Sequence, residues 1–153
     1  MKPRIIFFDI DGTLVPLKEG IRPRTVEALQ KLRQNGIRLC IATGRTPMEM
    51  PKFEGVTFDA LLTYNGSYCF TPERDIFKNL IPKEDIVILR RNAAALGRPL
   101  ALATDSRLVA NGTEPDLEEY FAIGGVKLVV ADDFDEVAQG EVFQVLMGGR
   151  EEE

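Results

Sequence analysis

The chain has 153 residues, 44% of them apolar, and a net charge of −5. That length can bury one core or two small ones, and without a basic stripe the chain is not an electrostatic nucleic-acid binder. It contains no histidine, which removes His-based triads, imidazole zinc sites and His acid–base chemistry. Any catalysis must use carboxylates, hydroxyls, Lys or Arg.

Met1-Lys2-Pro3-Arg4 leads into an apolar run too short to span a membrane, so the expectation is a soluble cytoplasmic protein. The run, Arg4 to Ile10, is β-branched and aromatic with little polar alternation. That pattern suits a central strand covered on both faces. It breaks at Asp11-Gly12. Pro23 then opens a helix with Val26, Leu29 and Leu32 on one face, and Gly36 ends it. Arg38 to Ala42 reads as a second buried strand ending at Thr43-Gly44-Arg45. Leu61 to Tyr64 reads as a third, ending at Asn65-Gly66. Pro47 and Pro51 weaken any helix between them. Strand, helix, strand, irregular segment, strand predicts a parallel α/β sheet.

The pattern changes after Asn65-Gly66. Tyr68 to Phe70 and Ile76 to Leu80 read as short strands, and Pro82 to Leu96 as a helix with Ile86, Leu89, Ala93 and Leu96 inward. Leu100 to Thr104 and Leu108 to Asn111 read as a hairpin, Pro115 to Phe121 as a helix, and Lys127 to Val130 and Val142 to Met147 as strands. Gly148-Gly149 reads as a turn, and Arg150 to Glu153 as the start of a helix. This half is α+β, with a boundary near residues 80–83. Arg90-Arg91 and Arg98 read as a solvated helix face. Cys40 and Cys69 read as core packing, since two thiols at that separation make neither a disulfide framework nor a CxxC site.

The chemistry gathers at strand ends. Side chains alternate along an extended chain, so Asp9 and Asp11 point one way and Ile10 the other. Two carboxylates about 4 Å apart repel by roughly 4 kcal/mol at an effective dielectric of 20. A hard cation such as Mg²⁺ would offset that cost, and so would a shared proton that leaves one Asp as a general acid. Phosphoryl transfer through an aspartyl-phosphate uses both: the first Asp attacks phosphorus and the second protonates the leaving oxygen. Gly12 permits close backbone approach to a phosphate, and the Thr13 hydroxyl and turn amides can add donors. Thr43, Gly44 and Arg45 offer a hydroxyl, an amide and a guanidinium to phosphoryl oxygens. Asn65 is the polar group at the third strand end.

These residues resemble a known family. DIDGTL from Asp9 to Leu14 resembles the first motif of the haloacid dehalogenase superfamily of phosphatases. IATGR from Ile41 to Arg45 is similar to its second motif in the Cof-type branch, and TYNGSYCF from Thr63 to Phe70 to that branch's strand leading towards an inserted cap. The resemblance implies a Rossmann-like parallel core over residues 1–80 and the first part of an α+β cap over residues 81–153. It implies Asp9 as nucleophile and Mg²⁺ ligand, Asp11 as acid/base with its carbonyl on the metal, and Thr43 holding the phosphoryl group. The substrates implied are small phosphorylated metabolites: sugar phosphates, nucleotides or cofactor phosphates.

The family needs a further Lys or Arg and a further metal-binding acidic pair. Lys127 to Asp133 superficially offers both, but Lys127 directly precedes the strand ending at Asp132, so the segment reads as cap with an acidic helix start. The expectation is a chain ending in mid-cap: a truncated phosphatase, weakly active or inactive alone. Its uncovered core edge would drive self-association or element swapping unless another fragment covers it. A sugar phosphomutase of the same superfamily and a non-catalytic phosphate- or partner-binding remnant are the alternatives.

Overall fold

The computed structural model describes residues 4–16, 20–123 and 125–149. The chain divides into two compact units. One holds the chain to Arg45 and Met50–Lys78, and the other Thr46–Glu49 and the chain from Asn79 onward. The predicted helix start at Arg150 lies outside the described residues.

The first unit is a five-stranded sheet in the order β1(Ile5–Phe8), β2(Arg38–Ala42), β3(Ala60–Thr63), β4(Tyr68–Phe70), β5(Asp75–Lys78). The first three strands are parallel, with Ile6 opposite Leu39 and Ile41 opposite Leu61. The β4–β5 hairpin joins antiparallel. Helix α1(Pro23–Gln34) makes the crossover from β1 to β2, opening on Pro23 and buried through Leu29. Gly36 closes it at φ +76°, a conformation that costs glycine least. The core gathers Ile10, Leu14, Val15, Leu29, Leu39 and Ile41.

Strand β1 departs from expectation. It is an edge, paired among the described residues with β2 alone, and Ile5 and Phe7 are 45% and 49% exposed. Phe8, on the opposite side, packs against the core. A sequence apolar on both faces thus has one face covered. Between β2 and β3 the prolines leave only a 3₁₀ turn, Pro47–Glu49. Thr46 and Glu49 cap it reciprocally: the Thr46 amide donates to Glu49 Oε2 at 2.8 Å and the Glu49 amide to Thr46 Oγ1 at 3.3 Å.

The second unit is an antiparallel sheet in the order β7(Leu108–Ala110), β6(Leu100–Ala103), β8(Gln144–Met147), with α2(Lys83–Ala95), α3(Pro115–Ile123) and the short α4(Phe134–Val137). Ile86 and Ala93 of α2 are buried as predicted, but Leu89 and Leu96 are 41% and 64% exposed. The inward stripe runs through Arg90 instead. Its guanidinium lies 5.5 Å from the Phe134 ring centre and pairs with Asp135, so its stem covers apolar surface that Leu89 was expected to cover. Lys127 to Val130 does not form a strand. One bridge, Ala110 to Val130, holds it beside β7, and Val129 and Val130 stay half-exposed. Asp133 is clasped by Arg107 at 2.6 and 2.8 Å, which holds its carboxyl below the usual range.

Arg98 is not on a solvated face. It is half-buried, donating to Glu114 Oε1 at 2.8 Å and to the Gly148 carbonyl at 2.9 Å. This explains Gly148-Gly149 better than a turn does. A Cβ on Gly148 would lie 2.5 Å from Glu114 Oε2, and one on Gly149 2.8 Å from Arg98 Nη1. Both glycines are there for close approach to an ion pair. Gly148→Ala should therefore displace the Glu114 carboxylate, the flexible end of its side chain, and cost about 1 kcal/mol, read as a Tm fall of roughly 2–4 °C by calorimetry. An unchanged Tm would mean that the pair relaxes freely.

Candidate active site

The loop after β1 is built around Ile10. Its side chain is fully buried, and its carbonyl accepts from the amides of Thr13, Leu14 and Val15 at 3.3, 3.0 and 3.0 Å. With Ile10 anchored inward, Asp9 and Asp11 flank it and are exposed. Gly12 sits at φ +75° and donates its amide to Val15 O at 3.0 Å. In this structure the amides of Gly12, Thr13, Leu14 and Val15 close the loop, and Gly12 at positive φ supplies its conformation. The bridge between Asp11 and Val15 uses the Ile10 carbonyl and the Gly12 amide. It engages neither the amide nor the carbonyl of Asp11.

From the end of β2, Arg45 reaches Asp11 and binds both its oxygens, Nε to Oδ2 at 2.9 Å and Nη2 to Oδ1 at 2.7 Å. Such a fork-on-carboxylate pair is the strong form of ion pair. Its hydrogen bonds, more than its charge, hold the Asp11 carboxyl below the usual range, against a smaller opposing effect of partial burial. Arg45 was expected on phosphate. Here its fork is on the acid/base candidate, and in this arrangement Asp11 is held as a carboxylate. Because the folded-state pKa is lowered, the pair's contribution to stability is present above the unfolded value and fades as pH falls through the folded one. Arg45→Met should raise the Asp11 pKa towards the ordinary carboxylate value, followed by carbon-detected NMR titration. No rise would mean that the pair is absent in solution.

Thr43 is buried. Its hydroxyl oxygen accepts from the Arg45 amide at 3.1 Å, which leaves the hydroxyl proton to donate. The end of β3 is tied to the same loop. The Asn65 amide donates to Thr43 O and the Tyr64 amide to Arg45 O, both at 3.1 Å. Tyr64 and Asn65 take left-handed conformations, φ +52° and +55°. Tyr64 was expected to end a strand; the structure turns the chain there. Asn65 lies with its side chain over Gly44, where an added Cβ would meet Asn65 Oδ1 at 3.0 Å. The structure thus joins Asp11, Thr43, Gly44, Arg45 and Asn65, with Asp9 on the same loop as Asp11. Tyr64 is the member that sequence reasoning missed, and an aromatic residue gives no signal for a left-handed backbone.

Among the described residues no group of three or more His, Cys, Asp or Glu side chains comes together as a metal site. The oxygens that fit a hard cation are the Asp9 carboxylate and the Asp11 carbonyl, since Arg45 holds the Asp11 carboxylate. The expected metal ligands were the Asp9 carboxylate and the Asp11 carbonyl, and the Arg45 clasp on the Asp11 carboxylate leaves both of those oxygens uncommitted to it.

A profile of the family described as haloacid dehalogenase-like hydrolase matches residues 6–152. The chain belongs to this family. Within it, the relatives bear out the Cof-type branch. YkrA of Bacillus subtilis, a candidate phosphatase, is 30% identical over 100% of this chain and 60% of its own length. The pyridoxal phosphate phosphatase YbhA of Escherichia coli is 35% identical over 46% of this chain and 26% of its own. A solved hypothetical protein from Geobacillus kaustophilus superposes with a TM-score of 0.83 at 28% identity, over 95% of this chain and 57% of its own. The chain thus spans about 60% of the length of the relatives it matches end to end. The family resemblance and the α/β fold expected from the sequence both hold.

Proposed function

We propose that this chain carries the nucleophile half of a Mg²⁺-dependent phosphatase for small phosphate monoesters. The observation that carries the reading is the loop that exposes Asp9 and Asp11 around a buried Ile10, with Arg45 clasping Asp11 and Thr43 behind it. Asp9 attacks phosphorus, forming an aspartyl-phosphate as the alcohol leaves. Asp11 protonates the leaving oxygen; water then attacks the phosphorus of the aspartyl-phosphate, Asp11 takes its proton, and the Asp9 carboxylate leaves as inorganic phosphate is released. For the first of these steps Asp11 needs a proton, so the Arg45 clasp must loosen when substrate arrives; a phosphoryl dianion competes for the same guanidinium. Thr43 donates its hydroxyl to a phosphoryl oxygen. Mg²⁺, held by the Asp9 carboxylate and the Asp11 carbonyl, would offset charge between nucleophile and phosphate.

The same reading makes residues 1–80 the first half of the catalytic core and residues 81–153 the first part of a cap. Pyridoxal phosphate, the substrate in YbhA's name, belongs to the cofactor phosphates expected here, alongside sugar phosphates and nucleotides. A cytoplasmic location is part of the proposal. Among the described residues no helix is long and apolar enough to cross a membrane. A second reading is a non-catalytic phosphate binder: among the described residues no three acidic side chains come together.

Excess acetyl phosphate with Mg²⁺ separates the two. A phosphoryl adduct seen by intact mass, labile to hydroxylamine and missing in Asp9→Asn, is expected. An adduct that persists in Asp9→Asn would sink the nucleophile assignment. Phosphate binding with no adduct would favour the second reading.

A further inference from the structure

The β2–β3 ladder runs through Ala42 opposite Leu62, and the Thr43 amide donates to Leu62 O at 2.9 Å. Beyond that point the strands do not simply part. Tyr64 and Asn65 are the non-glycine residues at positive φ among those described, and they stand where the ladder stops. In an extended strand successive amides point to opposite sides. A left-handed Tyr64 turns the next peptide so that its amide points the same way, as in a helical turn, and a left-handed Asn65 carries the turn on into Gly66. That is how the amides of Tyr64 and Asn65 both reach back, to Arg45 O and Thr43 O. These carbonyls flank Gly44, whose missing side chain leaves room for Asn65 Oδ1.

We infer that the left-handed Tyr64–Asn65 step is a positioning element for the acid/base residue, acting through its backbone. It holds the carbonyls of Thr43 and Arg45, the Thr43 hydroxyl receives the Arg45 amide, and Arg45 aims its fork at Asp11. The links from the end of β3 to the loop after β1 are hydrogen bonds joined through the Arg45 side chain. Asn65 is thereby reassigned from phosphate binding by its side chain to loop placement by its amide. Strain of this kind persists where the surroundings over-determine it, and the buried Tyr64 ring is the anchor. The functional meaning of the step rests on reading Asp11 as acid/base. The structural claim does not.

The test uses the whole chain and needs no turnover. The Arg45 Nε–Hε signal, identified by its loss in Arg45→Lys, reports the clasp through its exchange with solvent. Asn65→Gly accepts φ +55° and should leave that exchange unchanged. Asn65→Val resists it and should speed exchange about tenfold. Gly44→Ala, which pushes the Asn65 side chain without touching its φ, should leave the exchange nearly unchanged as well. Equal exchange in all three variants would overturn the inference and reduce the step to a simple turn. Loss of protection in Asn65→Gly as large as in Asn65→Val would also overturn it, assigning the role to the side chain. If Asn65→Val does not fold, Asn65→Ala carries the comparison with Asn65→Gly and is read in the same way. Because the readout is independent of phosphate chemistry, its failure and a failure of the phosphatase reading are separable.

Discussion

On its own, this chain is expected to hydrolyse p-nitrophenyl phosphate at least about a thousandfold more slowly than the roughly 10 per second typical of enzymes. Phosphoryl transfer is catalysed almost entirely by positioning and by charge stabilisation. Loss of a single oriented donor costs about 10²–10³ in rate, and loss of a transition-state arginine about 10³–10⁵. Among the described residues the Asp9 loop is joined by one cation, Arg45, and that cation is directed at Asp11. Among the described residues no third acidic side chain joins Asp9 and Asp11 in a metal shell. With Asp9 as the proposed nucleophile, slow adduct formation and poor turnover are expected together. Turnover near the enzyme median that disappears in Asp9→Asn would overturn this expectation, and would mean that the described residues already suffice.

Much of the fold was legible because period and punctuation agreed. Pro23 and Gly36 bracket α1, and the apolar run of β2 gave its place and its burial. Reading failed where a long polar side chain did the work of an apolar one. Arg90 took the inward place that periodicity gave to Leu89, because its stem can cover Phe134 while its head pairs with Asp135. It failed again at Lys127 to Val130, where β-branched composition suited a strand but a single bridge formed. Propensity of that kind describes a half-buried pleated surface, and the partner strand decides whether one exists.

In the site, residue types were legible and partners were not. Alternation around Ile10 placed Asp9 and Asp11 together, as the buried Ile10 requires. Nothing local told whether Arg45 would face phosphate or Asp11, since a guanidinium suits either. Asn65-Gly66 signalled a turn, while the left-handed Tyr64 that completes the clamp is set by contacts distant in sequence.

The exposed edge of β1 leads to the second large effect. We propose that copies of this chain associate or exchange elements through it, and that Phe7→Lys weakens the association roughly thirtyfold. Both edges of the five-stranded sheet show apolar side chains, Ile5 and Phe7 on β1 and Ile76 and Phe77 on β5. They differ in protection. Asp75 and Lys78 flank the β5 pair and form an ion pair at 3.0 Å, the kind of charge that discourages edge pairing. Ile5 to Phe8 contains no charge, proline or glycine. Phe7 is about half exposed, so covering the remainder contributes about 1 kcal/mol per copy. Two copies related by a twofold axis give about 2 kcal/mol, which is the thirtyfold change expected by sedimentation equilibrium. Phe77→Lys should leave association unchanged. A clean monomer at high concentration would remove the proposal, and equal effects of Phe7→Lys and Phe77→Lys would move the interface away from β1.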